Sequence, residues 1–355
     1  MPTLSMGGAE RVTLNLTEGL LDLGCRVDLV MFSTTGELLA DVPGGARIVD
    51  LRCGRALHAP VPLTRYLRRE RPDVLVAAMG HTNLVAQLAH WLAGSRARLL
   101  LAEHTAVSAK PLGFRDRIYR VLARWAYPRA TAVVAVSRGV ADSLVERMRL
   151  DRRTVSVIYN PVLTRRYREL AQTSARHEWL RDGRTPVVLG AGRLAPEKDF
   201  PTLIAAFAAV AAQREARLLI LGEGPARKAL EGQIERLGLH GSVALPGYVD
   251  DAVSYMAASD VFVLSSVHEG LPTVLIEALG AGVPVVSTDC ESGPREILRG
   301  GALGRLVPVG DTDALAAAIV AALEQPRGEV PADALGEYEP KAAARRYLQA
   351  AGLDA

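Results

Sequence analysis

The stretch Ser265-Ser266-Val267-His268-Glu269-Gly270-Leu271-Pro272-Thr273-Val274-Leu275-Ile276-Glu277-Ala278-Leu279-Gly280 decides the fold. It follows a short apolar run, Val261 to Leu264, that reads as a buried parallel strand, and it runs into a helix whose first turn carries Pro272. Proline is tolerated there because that N–H has no intrahelical partner in any case. A strand end, a polar loop and a helix N-terminus in succession aim free backbone N–H groups and the positive end of the helix dipole at one point. Such a point holds an anion. Glu269 in the loop and Glu277 inside the helix add a carboxylate at each end, able to grip sugar hydroxyls while the amides between them hold a phosphate. Taken alone, the stretch reads as readily as a strand–helix unit with two solvated glutamates; the rest of the chain weighs against that.

On either side the same alternation repeats. Upstream lie strand Val187–Leu189, helix Phe200–Ala212, strand Arg217–Leu221, helix Pro225–Leu237, strand Ser242–Leu245 and helix Ala252–Ala257. Downstream come strands Val285–Ser287 and Gly304–Val307, then helix Thr312–Leu323. Alternating strands and helices define a mostly parallel sheet covered on both faces, a doubly wound domain whose ligands bind beyond the carboxyl ends of its strands. Asn160-Pro161 breaks the pattern, and the polar, Arg-rich residues after it read as a linker. Before it a second such domain is legible in strands Arg26–Ser33, Ala46–Leu51, Asp73–Ala78, Arg98–Glu103, Thr131–Val136 and Val155–Ile158, with helices Ala9–Leu23, Asn83–Leu92 and Gly139–Met148 between them. The domains are therefore residues 1–164, 165–338 and a C-terminal helix in 339–355, expected to pack at the domain junction. One element is missing. A doubly wound domain begins with a strand, yet only six residues precede Gly7-Gly8; either the first strand lies upstream of Met1, which is the expectation, or the first sheet lacks an inner strand.

A chain of 355 residues has room for two domains, and 49% hydrophobic with 23% charged residues describes a soluble globular protein. The longest apolar run, Thr202 to Ala212, is about half a membrane span and reads as helical core. No signal peptide is read at the start. Cys25, Cys53 and Cys290 show no metal or redox spacing, which makes a reducing cytoplasm the expected compartment. The formal charge of +3 hides an asymmetry: residues 1–164 carry 22 Lys and Arg against 14 Asp and Glu, a net of +8, and the remainder a net of −5. A basic half suits an anionic partner such as a membrane surface or nucleic acid, and equally reflects an Arg-rich genome. No nucleic-acid recognition motif accompanies it, so that partner is set aside.

Gly7-Gly8 at the mouth of the first helix suits close approach of an anion, or a plain turn. Gly190-Ala191-Gly192-Arg193-Leu194-Ala195-Pro196-Glu197-Lys198 places two cations, five apart, on a loop at the sheet's carboxyl edge, where an Arg fork and a Lys point charge would hold a diphosphate. Gly247-Tyr248-Val249 offers an aromatic and backbone edges to a nucleobase. His104 ends a strand in Glu103-His104-Thr105 and would reach a sugar or acceptor hydroxyl, although a structural histidine is the commoner case. Asp311-Thr312-Asp313 begins a helix and reads as an N-cap rather than a metal pair. In Lys110–Arg129, apolar Ile118, Leu122 and Trp125 form a helical stripe that reads as core packing. The sharper alternative is a basic amphipathic helix, with Arg115, Arg117, Arg120 and Arg124, resting on anionic lipid.

Taken in order, Met6-Gly7-Gly8-Ala9-Glu10-Arg11, Val134-Ala135-Val136-Ser137, Ile158-Tyr159-Asn160-Pro161, Gly192-Arg193-Leu194 with Glu197-Lys198, Leu221-Gly222-Glu223-Gly224-Pro225, Gly247-Tyr248-Val249 and Glu269-Gly270-Leu271-Pro272 with Glu277 form a specific set. Over nearly its whole length the chain resembles retaining glycosyltransferases of family 4, and the last of these pieces is similar to the family's Glu-x7-Glu motif. The resemblance implies a GT-B fold, two Rossmann-like domains facing a central cleft, and transfer of a hexose or N-acetylhexosamine from a UDP-linked nucleotide sugar to a glycan or polyprenyl-linked acceptor. Ser292-Gly293-Pro294-Arg295-Glu296-Ile297-Leu298 looks like members that extend polysaccharides or lipid-linked oligosaccharides. By the same resemblance Arg193 and Lys198 neutralise the diphosphate, so neither metal nor other cofactor is required. Glu277 bonds the ribose, Glu269 the donor sugar, and the amides around Gly270 and Leu271 face the diphosphate or sugar. Val249 addresses the base, His104 contacts the sugar near the reacting carbon, and Gly7 and Gly8 face the donor. Arg115, Arg120 and Arg124 would lie on the acceptor or membrane side, which makes the protein cytoplasmic and peripheral on the inner face of the plasma membrane. Two other readings stand beside this one: an epimerase or hydrolase of nucleotide sugars on the same architecture, and an inactive sugar-nucleotide-binding or membrane-scaffolding protein.

Overall fold

Short runs of Val, Leu and Ile bounded by glycine, proline and charged residues form the strands of this protein, and longer amphipathic runs form its helices. The computed structural model describes residues 1–5, 7–106, 113–325, 327–328 and 330–353. Met6, Lys110 and the side chains of Phe114 and Arg115, all used above, lie outside the described residues. The chain divides into two compact units, Met1–Thr164 with Glu337–Ala355, and Arg165–Gly336.

In the first unit, strands β1 (Asp28–Met31) and β2 (Arg47–Asp50) pair in parallel as a two-stranded sheet. Strands β3 (Val74–Ala78), β4 (Arg98–Glu103), β5 (Ala132–Ala135) and β6 (Val155–Val157) form a separate four-stranded parallel sheet in sequential order. Helices α1 (Gly8–Asp22), α2 (Pro60–Glu70), α3 (Gly80–Ala93), α4 (Phe114–Ala126) and α5 (Arg138–Met148) cover them. Helix α2 is not legible in the sequence reading, because Pro60 and Pro62 look like breakers; they occupy the first turn, where proline fits. The C-terminal helix Pro340–Ala350 belongs to this unit and packs on α1. There Gly19 is required, since a Cβ on it would stand 2.1 Å from the Pro340 carbonyl oxygen. Ala343, Ala344 and Tyr347 of that helix join Leu16, Leu100, Ala102 and Val134 in one buried cluster.

Helix α4 corrects an expectation. Ile118, Leu122 and Trp125, read as core, are 45%, 48% and 44% exposed, and Val121 is 65% exposed. The face packed inward carries Tyr119, Ala123 and Ala126 instead. Small alanines let the helix sit close, and a tyrosine can bring its hydroxyl to a polar partner.

In the second unit the residues read as linker hold two short helices, α6 (Arg165–Leu170) and α7 (Glu178–Asp182). Strands β7 (Val187–Ala191), β8 (Arg217–Leu221), β9 (Val243–Gly247), β10 (Val261–Leu264), β11 (Val285–Thr288) and β12 (Arg305–Val307) form one parallel sheet in the order β9-β8-β7-β10-β11-β12. Helices α8 (Phe200–Ala211), α9 (Arg227–Arg236), α10 (Ala252–Ala258), α11 (Thr273–Gly280) and α12 (Pro294–Ile297) connect the strands, and α13 (Thr312–Leu323) follows the last of them. Helix α8 buries Leu203, Ile204, Phe207 and Val210 against Val188, Leu218 and Ile220, each side chain contributing roughly 1.5–3 kcal/mol. Asp311 caps α13 by accepting from the Ala314 amide at 2.9 Å, which fulfils the capping reading. Pro272 occupies the N-cap of α11 rather than its first turn, with φ −69° and ψ 100°.

Candidate functional site

Strands β7 and β10 are neighbours, yet the chain proceeds from β7 to β8 on one side and from β10 to β11 on the other. Where the winding reverses, the two connections leave the sheet in opposite directions and open a crevice at the carboxyl ends. The loops after β7 and β10, which hold Arg193, Lys198 and Glu269, emerge at this point. They are stitched together: the Val267 amide donates to the Glu197 carbonyl at 2.9 Å, and Ser265 Oγ donates to the Lys198 carbonyl at 2.7 Å. Between them Lys198 Nζ donates to Glu269 Oε1 at 2.6 Å, and Ser266 Oγ donates to the same oxygen at 2.6 Å. The two charged side chains are 18% and 11% exposed. A pair this sheltered is weakly screened by salt, and its charge-assisted bond is short and strong.

Further bonds fix the shell around the pair. Thr288 Oγ1 donates to the Ser266 carbonyl at 2.6 Å, and Ser292 Oγ donates to the Gly270 carbonyl at 2.8 Å. Gly270 and Leu271 are buried on this loop. Cys290, also buried, has its thiol pushed up to about 11, first by burial and then by the nearby charge of Glu269. On the other side Gly222 follows β8 with φ +128°, and a Cβ there would stand 2.0 Å from the Gly192 carbonyl. Only glycine permits that backbone approach. The Gly222 amide donates to the Gly247 carbonyl at 2.8 Å, which joins the loop carrying Val249. Val249 is half-buried beyond the exposed Tyr248. Glu277 lies half-buried in α11, and its carbonyl accepts from the Tyr167 hydroxyl at 2.8 Å. Arg193 differs from Lys198: it is exposed, and its side chain makes no hydrogen bond or ion pair among the described residues. One cation is thus held by the fold, and the other projects free.

The first unit carries the remaining residues. Gly7 is the N-cap of α1 with no side chain to cap it, and Gly8 is exposed with open space where a Cβ would be. His104 directly follows β4, and burial lowers its imidazole to about 4, so it is neutral at physiological pH. A neutral imidazole donates from one nitrogen and accepts at the other, which suits hydroxyl recognition better than proton donation. Beside it Glu103 sits in a network absent from the sequence reading: Asn83 Nδ2 donates at 3.0 Å and the Tyr119 hydroxyl at 2.9 Å to one carboxylate oxygen, with the Tyr127 hydroxyl also on it. Burial outweighs these donors and pushes the Glu103 carboxyl up. In sequence the hint is Asn83 and Gln87 one turn apart in a largely apolar helix. Arg124 donates to the Arg147 carbonyl at 3.2 Å, Arg120 is half-buried, and the side chain of Arg115 is outside the described residues.

The low value of His104 sets a pH dependence with a definite sign. Folding disfavours its protonated form, so stability is fully present above the unfolded value of 6.5 and is lost as pH falls toward 4. The loss amounts to at most roughly 3 kcal/mol. The His104→Asn variant is expected to lose less stability than the wild type between pH 6.5 and 4 in urea titrations; identical losses would contradict a neutral His104. Glu103 acts with the opposite sign in both proteins and cancels from the comparison.

Sequence profiles place this geometry in a known group. The profile Glycosyltransferase Family 4 matches residues 6–166, and Glycosyl transferases group 1 matches residues 185–325. The lipopolysaccharide core biosynthesis glycosyltransferase LpsE of Rhizobium meliloti is 32% identical over 320 residues, spanning 88% of this chain and 84% of that one. The N-acetylgalactosamine-N,N'-diacetylbacillosaminyl-diphospho-undecaprenol 4-alpha-N-acetylgalactosaminyltransferase of Campylobacter jejuni is 27% identical over 326 residues, 88% of this chain and 86% of its own. Among solved structures, Anabaena HepE in complex with UDP superposes with a TM-score of 0.78 at 22% identity, covering 98% of this chain and 99% of its own. A glycosyltransferase from Rickettsia africae gives 0.79 at 18% identity, covering 99% and 96%. The chain is a GT-B protein and belongs to the family 4 glycosyltransferases.

Proposed function

We propose that the protein transfers a hexose or N-acetylhexosamine, with retention of configuration, from a UDP-sugar to a lipid-linked or growing glycan acceptor in polysaccharide biosynthesis. The observation that carries the reading is the Lys198–Glu269 pair at the winding reversal of the second unit's sheet. The ammonium and carboxylate satisfy one another; a donor would enter with a diphosphate for the cation and sugar hydroxyls for the carboxylate. Arg193, exposed and without a side-chain partner among the described residues, adds a planar fork for a second phosphate oxygen. With two cations to stabilise the charge that develops on the leaving diphosphate, the reaction needs no metal in this reading. Glu277 serves the ribose, Val249 the base, and the Gly270–Leu271 amides the diphosphate or sugar. In the first unit, Gly7, Gly8 and His104 are the candidate sugar contacts. The names of the relatives, which act in lipopolysaccharide core and undecaprenol-linked sugar synthesis, support the acceptor class.

The outward stripe of α4, with Val121 and Trp125 exposed beside Arg117 and Arg124, supports contact with an anionic membrane surface on the acceptor side. The deciding experiment incubates the protein with a UDP-sugar and a polyprenyl-diphosphate-linked sugar and reads the product by NMR. The expected product carries the donor's anomeric configuration on the acceptor. A donor sugar altered or hydrolysed as readily without acceptor would instead mark the epimerase or hydrolase, and equal partition between anionic and neutral vesicles would remove the membrane contact.

A further inference from the structure

Arg227 is the first residue of α9, a position where a cation opposes the helix dipole. Its guanidinium is directed at neighbours instead. Nε donates to Glu223 Oε2 at 2.9 Å and Nη2 to Glu223 Oε1 at 2.6 Å, a planar fork on one carboxylate. Nη1 donates to the Leu245 carbonyl at 3.2 Å and to Glu231 Oε1 at 3.1 Å. With side chains 26% and 54% exposed, Arg227 and Glu223 add little to stability as an ion pair. A local rule broken for so little stability is the mark of a functional position.

The pair stands between two loops of the candidate site. Behind it, the backbone of the same turn holds the loop of Arg193: the Leu194 amide donates to the Glu223 carbonyl at 2.9 Å, and the Ala226 amide donates to the Leu194 carbonyl at 2.9 Å. In front, it lies against the end of β9. Gly247 there has φ +95°, and a Cβ on it would stand 3.0 Å from Glu223 Oε1. Tyr248 and Val249 follow directly. Strand β9 is the edge of the sheet, its register on β8 shifts between Leu219 and Leu221, and Pro246 has no N–H for a ladder. The ladder therefore holds this strand end weakly. The Arg227 bond to the Leu245 carbonyl, braced by the fork on Glu223, fixes it.

We infer that Glu223 and Arg227 are positioning residues: they hold the Tyr248–Val249 loop at a set distance from the Arg193 loop, and that distance selects a pyrimidine over a purine in the bound nucleoside diphosphate. This rests on the reading of Val249 as the base contact and Arg193 as a diphosphate contact. The turn from Glu223 to Arg227 bonds to both loops, so the phosphate end and the base end of the ligand meet walls whose spacing is built in. A wall free to retreat admits the two-ring purine as well as the one-ring pyrimidine. A wall bonded in place admits the smaller base and clashes with the larger. Discrimination by clash needs rigidity rather than new contacts, so neither side chain has to touch the ligand.

The test is calorimetric titration of the wild type, Arg227→Ala, Glu223→Ala and the double variant with UDP, GDP and pyrophosphate. The wild type is expected to bind UDP at least about 10-fold more tightly than GDP, and that ratio to fall to about 2-fold or less in Arg227→Ala. Pyrophosphate has no base, and the bonds that hold the Arg193 loop are to backbone, so its Kd should stay within about 2-fold in all four proteins. The double variant should match either single one, because each breaks the same clasp. A preference for UDP that survives in Arg227→Ala overturns the inference and leaves the donor site standing. Losses that add in the double variant overturn it as well, and so does a loss of pyrophosphate affinity as large as that of UDP, which marks general damage to the unit. A wild type that binds UDP and GDP alike, or neither, removes the base contact of Val249 and the inference with it.

Discussion

Glu269→Ala is expected to lower the stability of the protein by about 3–5 kcal/mol and to abolish transfer. The size of the first effect comes from what remains. Lys198 loses its carboxylate and stays sheltered at 18% exposure, and Ser266 Oγ loses its acceptor. Removing one member of a buried pair costs far more than the pair contributes in sum, because the survivor is an uncompensated charge. A drop in Tm on the order of 10 °C would accompany it. The double variant Lys198→Met with Glu269→Leu, which removes both charges and keeps the volume, should recover most of the stability and none of the activity. Equal Tm for Glu269→Ala and the wild type would show that the pair is not sheltered as described.

Arg193→Ala has the opposite profile. Its guanidinium is exposed and makes no bond among the described residues, so the resting protein should melt within about 1 °C of the wild type. Turnover should nevertheless fall by roughly 100-fold or more, the scale seen when one preorganised donor to a developing oxyanion is removed. A group that acts only as charge develops lowers kcat and kcat/KM together, whereas one that only anchors the donor raises KM. Steady-state kinetics at saturating donor separates the two. Near-normal kcat in Arg193→Ala would remove this residue from the site and leave Lys198 as the sole cation of the pair of loops.

Much of the fold is local and therefore legible. Strand β4 runs Arg98–Glu103 and β10 runs Val261–Leu264, as their apolar composition and flanking polar residues indicate. The loops at the carboxyl ends of β7 and β10 are legible too, because glycines, a proline and charges punctuate the strand–helix junctions. What the sequence does not carry is distance. Lys198 and Glu269 are 71 residues apart and meet only because β10 pairs with β7 rather than with its sequence neighbour β9. Glu103 gathers Asn83, Tyr119 and Tyr127 from 20, 16 and 24 residues away. Helix α4 shows a different limit. Ile118, Leu122 and Trp125 have the right period for a buried stripe, but period gives a face and not its direction; the buried face is the neighbouring one, with Ala123 and Ala126. A two-proline start hid α2 in the same way, since the first turn of a helix and a breaker share their composition.

The central claim is that the reversal in the second unit's sheet binds a nucleoside diphosphate sugar through Arg193 and the Lys198–Glu269 pair. Thermal denaturation with UDP, GDP, ADP and their sugars, on wild type and Arg193→Ala, tests it most directly. Ligand at 100 times its Kd stabilises the folded state by about 2.7 kcal/mol, a shift of several degrees. The account predicts such a shift with UDP and UDP-sugars, absent with ADP and sharply reduced in Arg193→Ala. No shift with any nucleotide, or an equal shift in the variant, would contradict it.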